Sequence, residues 1–149
     1  LNTPRPGAER VTVITAIGNT GDPELMQDVL PSLTTGSTQE RGAAAKALGR
    51  MPGARSHLLT QLQSESSSVV RAHLAEGLCK QGEPTLASLE AIDRAITAES
   101  DQRARFAMAR YLGENIGRFP RAKATLETVL ESERSNRIRR YIAGRIYAK

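Results

Sequence analysis

Cys79, His73 and Glu76 are the residues whose types could supply a nucleophile, a base and an orienting carboxylate. A thiol activated by an imidazole needs both groups within hydrogen-bond reach. On a helix, six residues turn the chain through about 240°, so His73 and Cys79 cannot meet on one helix. Cys79 is therefore expected as a small buried or half-buried hydrophobe. His57 and His73 are the only histidines, and with a single cysteine they make no recognisable zinc set. No Asp or Glu pair has a motif that calls for acid–base work. Gly18-Asn19-Thr20-Gly21 is expected as a turn between helices, not as a phosphate-cradling loop. The sequence predicts no catalytic, cofactor-binding or metal-binding residues, no cofactor, and a protein that is not an enzyme.

Arginine is the residue type that recurs in phase. Arg10, Arg41, Arg71, Arg105 and Arg139 are each followed seven residues later by a large aliphatic: Ile17, Leu48, Leu78, Leu112 and Ile146. The steps between them are 31, 30, 34 and 34 residues, which is a repeat array. An Arg in the first turn of a helix opposes the macrodipole and needs a specific acceptor to be kept there. These five are expected to form a structural ladder, pairing with carboxylates or loop carbonyls of the preceding unit. The competing use is a row of phosphate contacts. A second set, Arg103, Arg110, Arg137, Arg140 and Arg145, is the candidate interaction surface, with a solvated charged cap as its plain alternative. Nucleic-acid binding would favour interleaved aromatics for stacking. Tyr111, Tyr141 and Tyr147 are available, and Phe106 and Phe119 are expected in the local core.

The elements that position these residues are helices. Residues 1–7, with two prolines and a glycine, are expected as a tail or lead-in loop. Residues 8–149 are expected as one repeat domain, with units at about 8–35, 37–64, 67–98, 101–133 and a partial fifth at 135–149. The first unit places Val13, Ile14 and Ile17 on a helical stripe. Gly18 to Gly21 then stop the helix, and Asp22-Pro23 start its partner with Leu25, Val29, Leu30 and Leu33. Ser37 and Glu40 suggest a capping box, followed by Ala43, Ala44, Ala45, Ala47 and Leu48, small enough for close helix approach. Pro52-Gly53 turn into Leu58, Leu59 and Leu62. The third unit runs from Ser67 through Leu74, Ala75 and Leu78, then Leu86, Leu89, Ile92 and Ile96. Asp101 caps the fourth, with Met108, Ala109, Leu112, then Leu126, Val129 and Leu130. Ser135 caps a last helix through Ile138, Ile142 and Ile146.

Composition agrees. With two Phe, three Tyr and no Trp, the core must be aliphatic and alanine-rich, which suits packed helices. Residues 1–75 carry 7 basic and 6 acidic side chains against 14 and 10 in residues 76–149. No acid follows Glu133, while Arg134, Arg137, Arg139, Arg140, Arg145 and Lys149 do. No run approaches a membrane-spanning length, and one cysteine leaves the compartment open. The first residue is Leu, which suits either a mature form or a piece of a longer protein.

Ser67-Ser68-Val69-Val70-Arg71-Ala72-His73-Leu74-Ala75-Glu76-Gly77-Leu78, and Ala16-Ile17-Gly18-Asn19-Thr20-Gly21-Asp22-Pro23, resemble HEAT repeats. The likeness is greatest to the short class first recognised in phycobilin lyases and covers residues 8–149. It implies an all-α, right-handed α-solenoid of about four antiparallel helix pairs plus a C-terminal helix, binding proteins or peptides. The chain departs from the pattern at Gly77-Leu78-Cys79, where a Leu-Gly end is usual, and before Arg10, where no Val stands. A weaker likeness links residues 16–23 to the helical domain of vitellogenin-type lipid carriers, without the lipid-binding sheets those proteins need. The function expected is a non-enzymatic interaction or scaffold module that holds another protein or peptide through exposed side chains of the second helices and the turns. The alternatives are electrostatic binding of nucleic acid or another polyanion through the C-terminal arginines, or a helical accessory domain of a larger lipid-carrier or enzyme complex.

Overall fold

A computed structural model describes residues 6–148 of the chain. Among them it is entirely helical, in the order α1 (Pro6–Thr20), a 3-10 turn (Pro23–Leu25), α2 (Met26–Thr35), α3 (Thr38–Gly49), α4 (Arg55–Ser64), α5 (Ser68–Cys79), α6 (Leu86–Ile96), α7 (Gln102–Gly113), α8 (Arg121–Ser132) and α9 (Asn136–Ile146). None of these helices is long and apolar enough to cross a membrane. Long helices alternate with short turns, as helical repeats require, because each helix has one apolar side and must bury it on its neighbours. Contacts divide the chain into two compact units, Leu1–Gly82 and Glu83–Lys149, with the boundary in the loop after α5.

In the first unit α3 lies between α1 and α5, while α2 and α4 form a second layer against them. Its core is Ile14, Val29, Leu33, Leu48, Met51, Leu58, Val70, Leu74 and Leu78. In the second unit α7 packs on α9 and α6 on α8, with α7 also contacting α6 and α8. Leu89, Ile92, Ile96, Met108, Leu112, Leu126, Ile138 and Ile142 fill that core. Both are aliphatic, as the scarcity of aromatics dictates.

Side chains of the linkers start the helices. Ser37, Ser67, Asp101 and Ser135 each accept the backbone N–H three residues on, satisfying an amide that has no partner inside the helix. Asp22 does the same for Glu24. The expected reciprocal box at Ser37 and Glu40 is formed only in its first half; the buried Glu40 carboxylate lies 3.8 Å from Arg10 instead. The full box is at Thr85 and Ser88.

Four local expectations change. Pro6 and Gly7 belong to the first turn of α1, where Pro is tolerated because its missing N–H has no helical partner; residues 1–5 lie outside the described residues. Gly18 and Asn19 stay helical, and Gly21, with φ +66°, makes the break. Val13 and Leu86, expected on buried stripes, are 57% and 61% exposed. Phe106, expected in the core, is only half-buried.

Close approach in the first unit depends on absent side chains. A Cβ on Gly18 would lie 2.7 Å from the Ala47 Cα, and one on Gly49 would lie 2.7 Å from the Gly77 Cα. The alanine and glycine content of α3 is what lets α1 and α5 press against it. Gln81 finishes the seam: its buried amide donates to the carbonyls of Leu48, Gly49 and Met51 at 2.9 to 3.1 Å. These carbonyls lie at and just beyond the end of α3, where the helix supplies few N–H partners of its own.

Candidate interaction surface

The five phased arginines do not behave alike. Arg41 is gripped on both sides: Nη1 donates to the Gly36 carbonyl at 3.0 Å, while Nε and Nη2 donate to the two Glu65 oxygens at 2.9 Å. Arg105 repeats this, with Nη1 on the Ser100 and Glu99 carbonyls and a fork onto Glu133 at 2.9 and 3.1 Å. Arg71 donates to the Glu65 and Ser66 carbonyls, and Arg139 to those of Leu130 and Glu133. Arg10 is exposed, 3.8 Å from Glu40. These carbonyls come from the residues just before each helix, with that of Leu130 still inside α8. The carboxylates of Glu65 and Glu133 come from one helix further on, at the C-terminal ends of α4 and α8.

Those glutamates are what the sequence reading missed. Glu65, Glu99 and Glu133 each stand six residues before an arginine of the series. Each also accepts the N–H of the next cap residue: Ser67 at 3.0 Å, Asp101 at 2.9 Å and Ser135 at 2.8 Å. The signal was present as Glu-x5-Arg in three successive units. Burial alone would raise the Glu65 carboxyl, but the Arg41 guanidinium, the Ser67 N–H and the Gln61 amide outweigh it and hold the group at about 2. Glu133 is held below the usual carboxylate range against the same burial, by Arg105 and the Ser135 N–H. Arg41 and Arg105 are raised in turn, chiefly by their hydrogen bonds to those carboxylates.

The second arginine set sits on α7 and α9, both of them first helices of their units, not on the second helices. Arg103, Arg110, Arg137, Arg140 and Arg145 are all exposed. Two of them stack on rings: the Arg137 guanidinium lies 4.0 Å from the Phe106 centroid, and that of Arg145 lies 5.5 Å from the Tyr141 centroid. The rings meet edge-on at 5.6 Å, and the Tyr141 hydroxyl donates to the Arg110 carbonyl at 3.3 Å. Arg110 also reaches Glu114 at 3.3 Å. On α9, Arg137, Tyr141 and Arg145 share one face at four-residue spacing, and Arg140 lies beside Arg137. Arg137, Arg140 and Arg145 have no carboxylate partner among the described residues. Lys149, at the end of the basic run, lies outside the described residues.

Tyr111 is buried instead, its hydroxyl 2.6 Å from that of Ser88, and Tyr147 is exposed. Phe119 is buried as expected. On α5, His73 is buried with Nδ1 3.7 Å from the Glu76 carboxylate, and Cys79 is half-buried. No cluster of three or more His, Cys, Asp or Glu among the described residues could hold a metal ion.

The family model for HEAT repeats matches residues 55–144, more than half of the chain. HEAT repeats are commonly protein-interaction scaffolds and typically lack catalytic activity. Comparison with curated proteins gives no match.

Proposed function

Because the chain belongs to the HEAT-repeat family, we propose that it is a non-enzymatic interaction module whose α7–α9 face binds an acidic segment of another protein. The observation that carries this reading is the stacking of Arg137 on Phe106 and Arg145 on Tyr141. Each ring restrains the guanidinium lying over it, and neither Arg137 nor Arg145 has a carboxylate partner among the described residues. A carboxylate can then be held by two parallel bonds with little further loss of side-chain freedom. Arg140 adds charge beside Arg137.

The same stacking weighs against nucleic acid. Bases bind single-strand readers by lying on aromatic faces, and here guanidinium groups already occupy a face of each ring. Charge alone leaves the polyanion reading open, since residues 83–149 hold 13 basic and 9 acidic side chains. The phased arginines, in this reading, hold the linkers and take no part in partner contact. The non-enzymatic reading rests on the family, whose repeats are typically non-catalytic; His73 and Cys79, six residues apart on α5, lie about 240° apart around its axis.

A glutamate-rich peptide and a single-stranded oligonucleotide of equal charge separate the two readings. The peptide should bind the full chain and lose about tenfold in affinity with Arg137→Ala and Arg145→Ala combined. Tighter binding of the oligonucleotide, collapsing as salt rises and lost in the same variant, would transfer the face to polyanions.

A further inference from the structure

The exposed side of the first helices in the first unit contains a hollow of about 520 Å3. It follows α3. Gly42, Ala43 and Ala47 of α3 line it together with Val11, Thr15 and Asn19 of α1 and Val69 and His73 of α5. Gln39, Ala43, Lys46 and Arg50 are spaced along one face of α3, and Ala43 is the short step in that row. The close seams at Gly18 and Gly49 draw the flanking helices in, so the short row lies between two taller ones.

The chemistry of the lining is two-sided. Val69 is 57% exposed, and with Val11 and Ala43 it offers aliphatic surface. No carboxylate lines the hollow, whereas Lys46 and Arg50 do. Arg50 donates to the Asn19 side-chain oxygen at 2.6 Å, a neutral acceptor that leaves its charge uncompensated. Lys46 has no carboxylate partner among the described residues.

We propose that this hollow is a second docking site, for a short segment of another protein that carries an aliphatic side chain close to a carboxylate. The aliphatic group lies over Ala43 between Val11 and Val69, and the carboxylate reaches Lys46 and Arg50. Charge complementarity selects this occupant: a purely apolar segment leaves both cations unanswered, and a polyanion leaves Val11 and Val69 facing charge. The proposal stands apart from the α7–α9 face, on different residues of the other unit.

Random peptides displayed against the full chain, then synthesised and measured by fluorescence anisotropy, provide the probe. The selected peptides should pair Leu, Ile or Val with a nearby Asp or Glu. Their affinity should fall by about tenfold in Ala43→Leu, which fills the hollow, and in Lys46→Glu, which reverses its charge; Arg137→Ala should leave it within about twofold. Lys46 is exposed, so the second variant keeps the test open should Ala43→Leu fold poorly. Failure to enrich any peptide, or peptides bound equally by both hollow variants, overturns the proposal. Peptides lost only in Arg137→Ala overturn it while leaving the α7–α9 reading intact. A wild-type dimer in light scattering that Lys46→Glu disperses overturns it in favour of a second copy of the chain.

Discussion

The two units use the same position of the repeat in opposite ways. Gly49 ends α3 eight residues after Arg41, and Gly113 ends α7 eight residues after Arg105. Gly49 meets the backbone of Gly77, so α3 and α5 touch main chain to main chain. Gly113 meets the Tyr141 hydroxyl at 2.8 Å and the Arg145 Cγ at 3.2 Å from where its Cβ would be. In the first unit missing side chains bring helices together and leave a hollow lined by small residues. In the second, large side chains of α9 lie over α7 and build a charged, ring-backed face. The Arg–Glu grip beneath is common to both, in Arg41–Glu65 and Arg105–Glu133. The shared contact reads as scaffold, and the differing surface reads as where partners are told apart.

The largest expected effect lies in the shared part. Arg41→Ala would leave Glu65, with a side chain 1% exposed, buried without its guanidinium. Breaking such a pair from one side costs about 3–5 kcal/mol, because the remaining charge stays buried without a counter-charge, held only by the Ser67 N–H and the Gln61 amide. Urea unfolding of the variant should show that loss, and Arg105→Ala should match it through Glu133. A loss below about 1 kcal/mol at either site would remove the distinction between gripped arginines and surface ones.

Acid should act through the same contact. The Glu65 carboxyl is at about 2 in the folded chain against an ordinary 4.5, so the unfolded state takes up its proton first as pH falls. Stability from this group is fully present above about pH 4.5 and is lost as pH drops toward 2, by on the order of 3 kcal/mol. Glu133, also depressed, adds in the same direction. In Arg41→Ala the acid dependence between pH 5 and 2 should flatten; an unchanged slope would assign it to other carboxylates.

The helix phase and its caps were legible because repetition multiplies a weak signal. One Arg seven residues before an aliphatic means little, but five in phase place every first helix, and Ser37, Ser67, Asp101 and Ser135 mark the starts of four of them. The Glu-x5-Arg spacing marks Glu65, Glu99 and Glu133 as recurrent, but not which arginine each would meet. Glu65 stands 24 residues from Arg41 and Glu133 28 from Arg105, and nothing in residue type says which of many glutamates a packed neighbour will enclose. Phe106 under Arg137 is the same case: a ring among aliphatics suggests core until a helix 30 residues on brings a cation to its face. Val13 and Leu86 have the right type and period for burial but remain exposed. Apolar type records a tendency, while burial depends on which neighbour arrives.

The smallest effect tests the contrast itself. Alanine at a helical glycine gains about 1 kcal/mol of backbone preference, and overpacking a filled seam costs about 1–3 kcal/mol. At Gly49 the new methyl meets backbone at 2.7 Å, and backbone cannot move without shifting a whole helix. Gly49→Ala should therefore destabilise, by up to about 2 kcal/mol net. At Gly113 the obstacles are a tyrosine ring and an arginine stem, which can swing outward on their own torsions. Gly113→Ala should change stability by less than about 1 kcal/mol while displacing Tyr141 from the Arg110 carbonyl, so its mark belongs in peptide binding at the α7–α9 face. Equal destabilisation by both substitutions would mean that the second seam is as closed as the first, and that its rings are packed scaffold and not a movable surface.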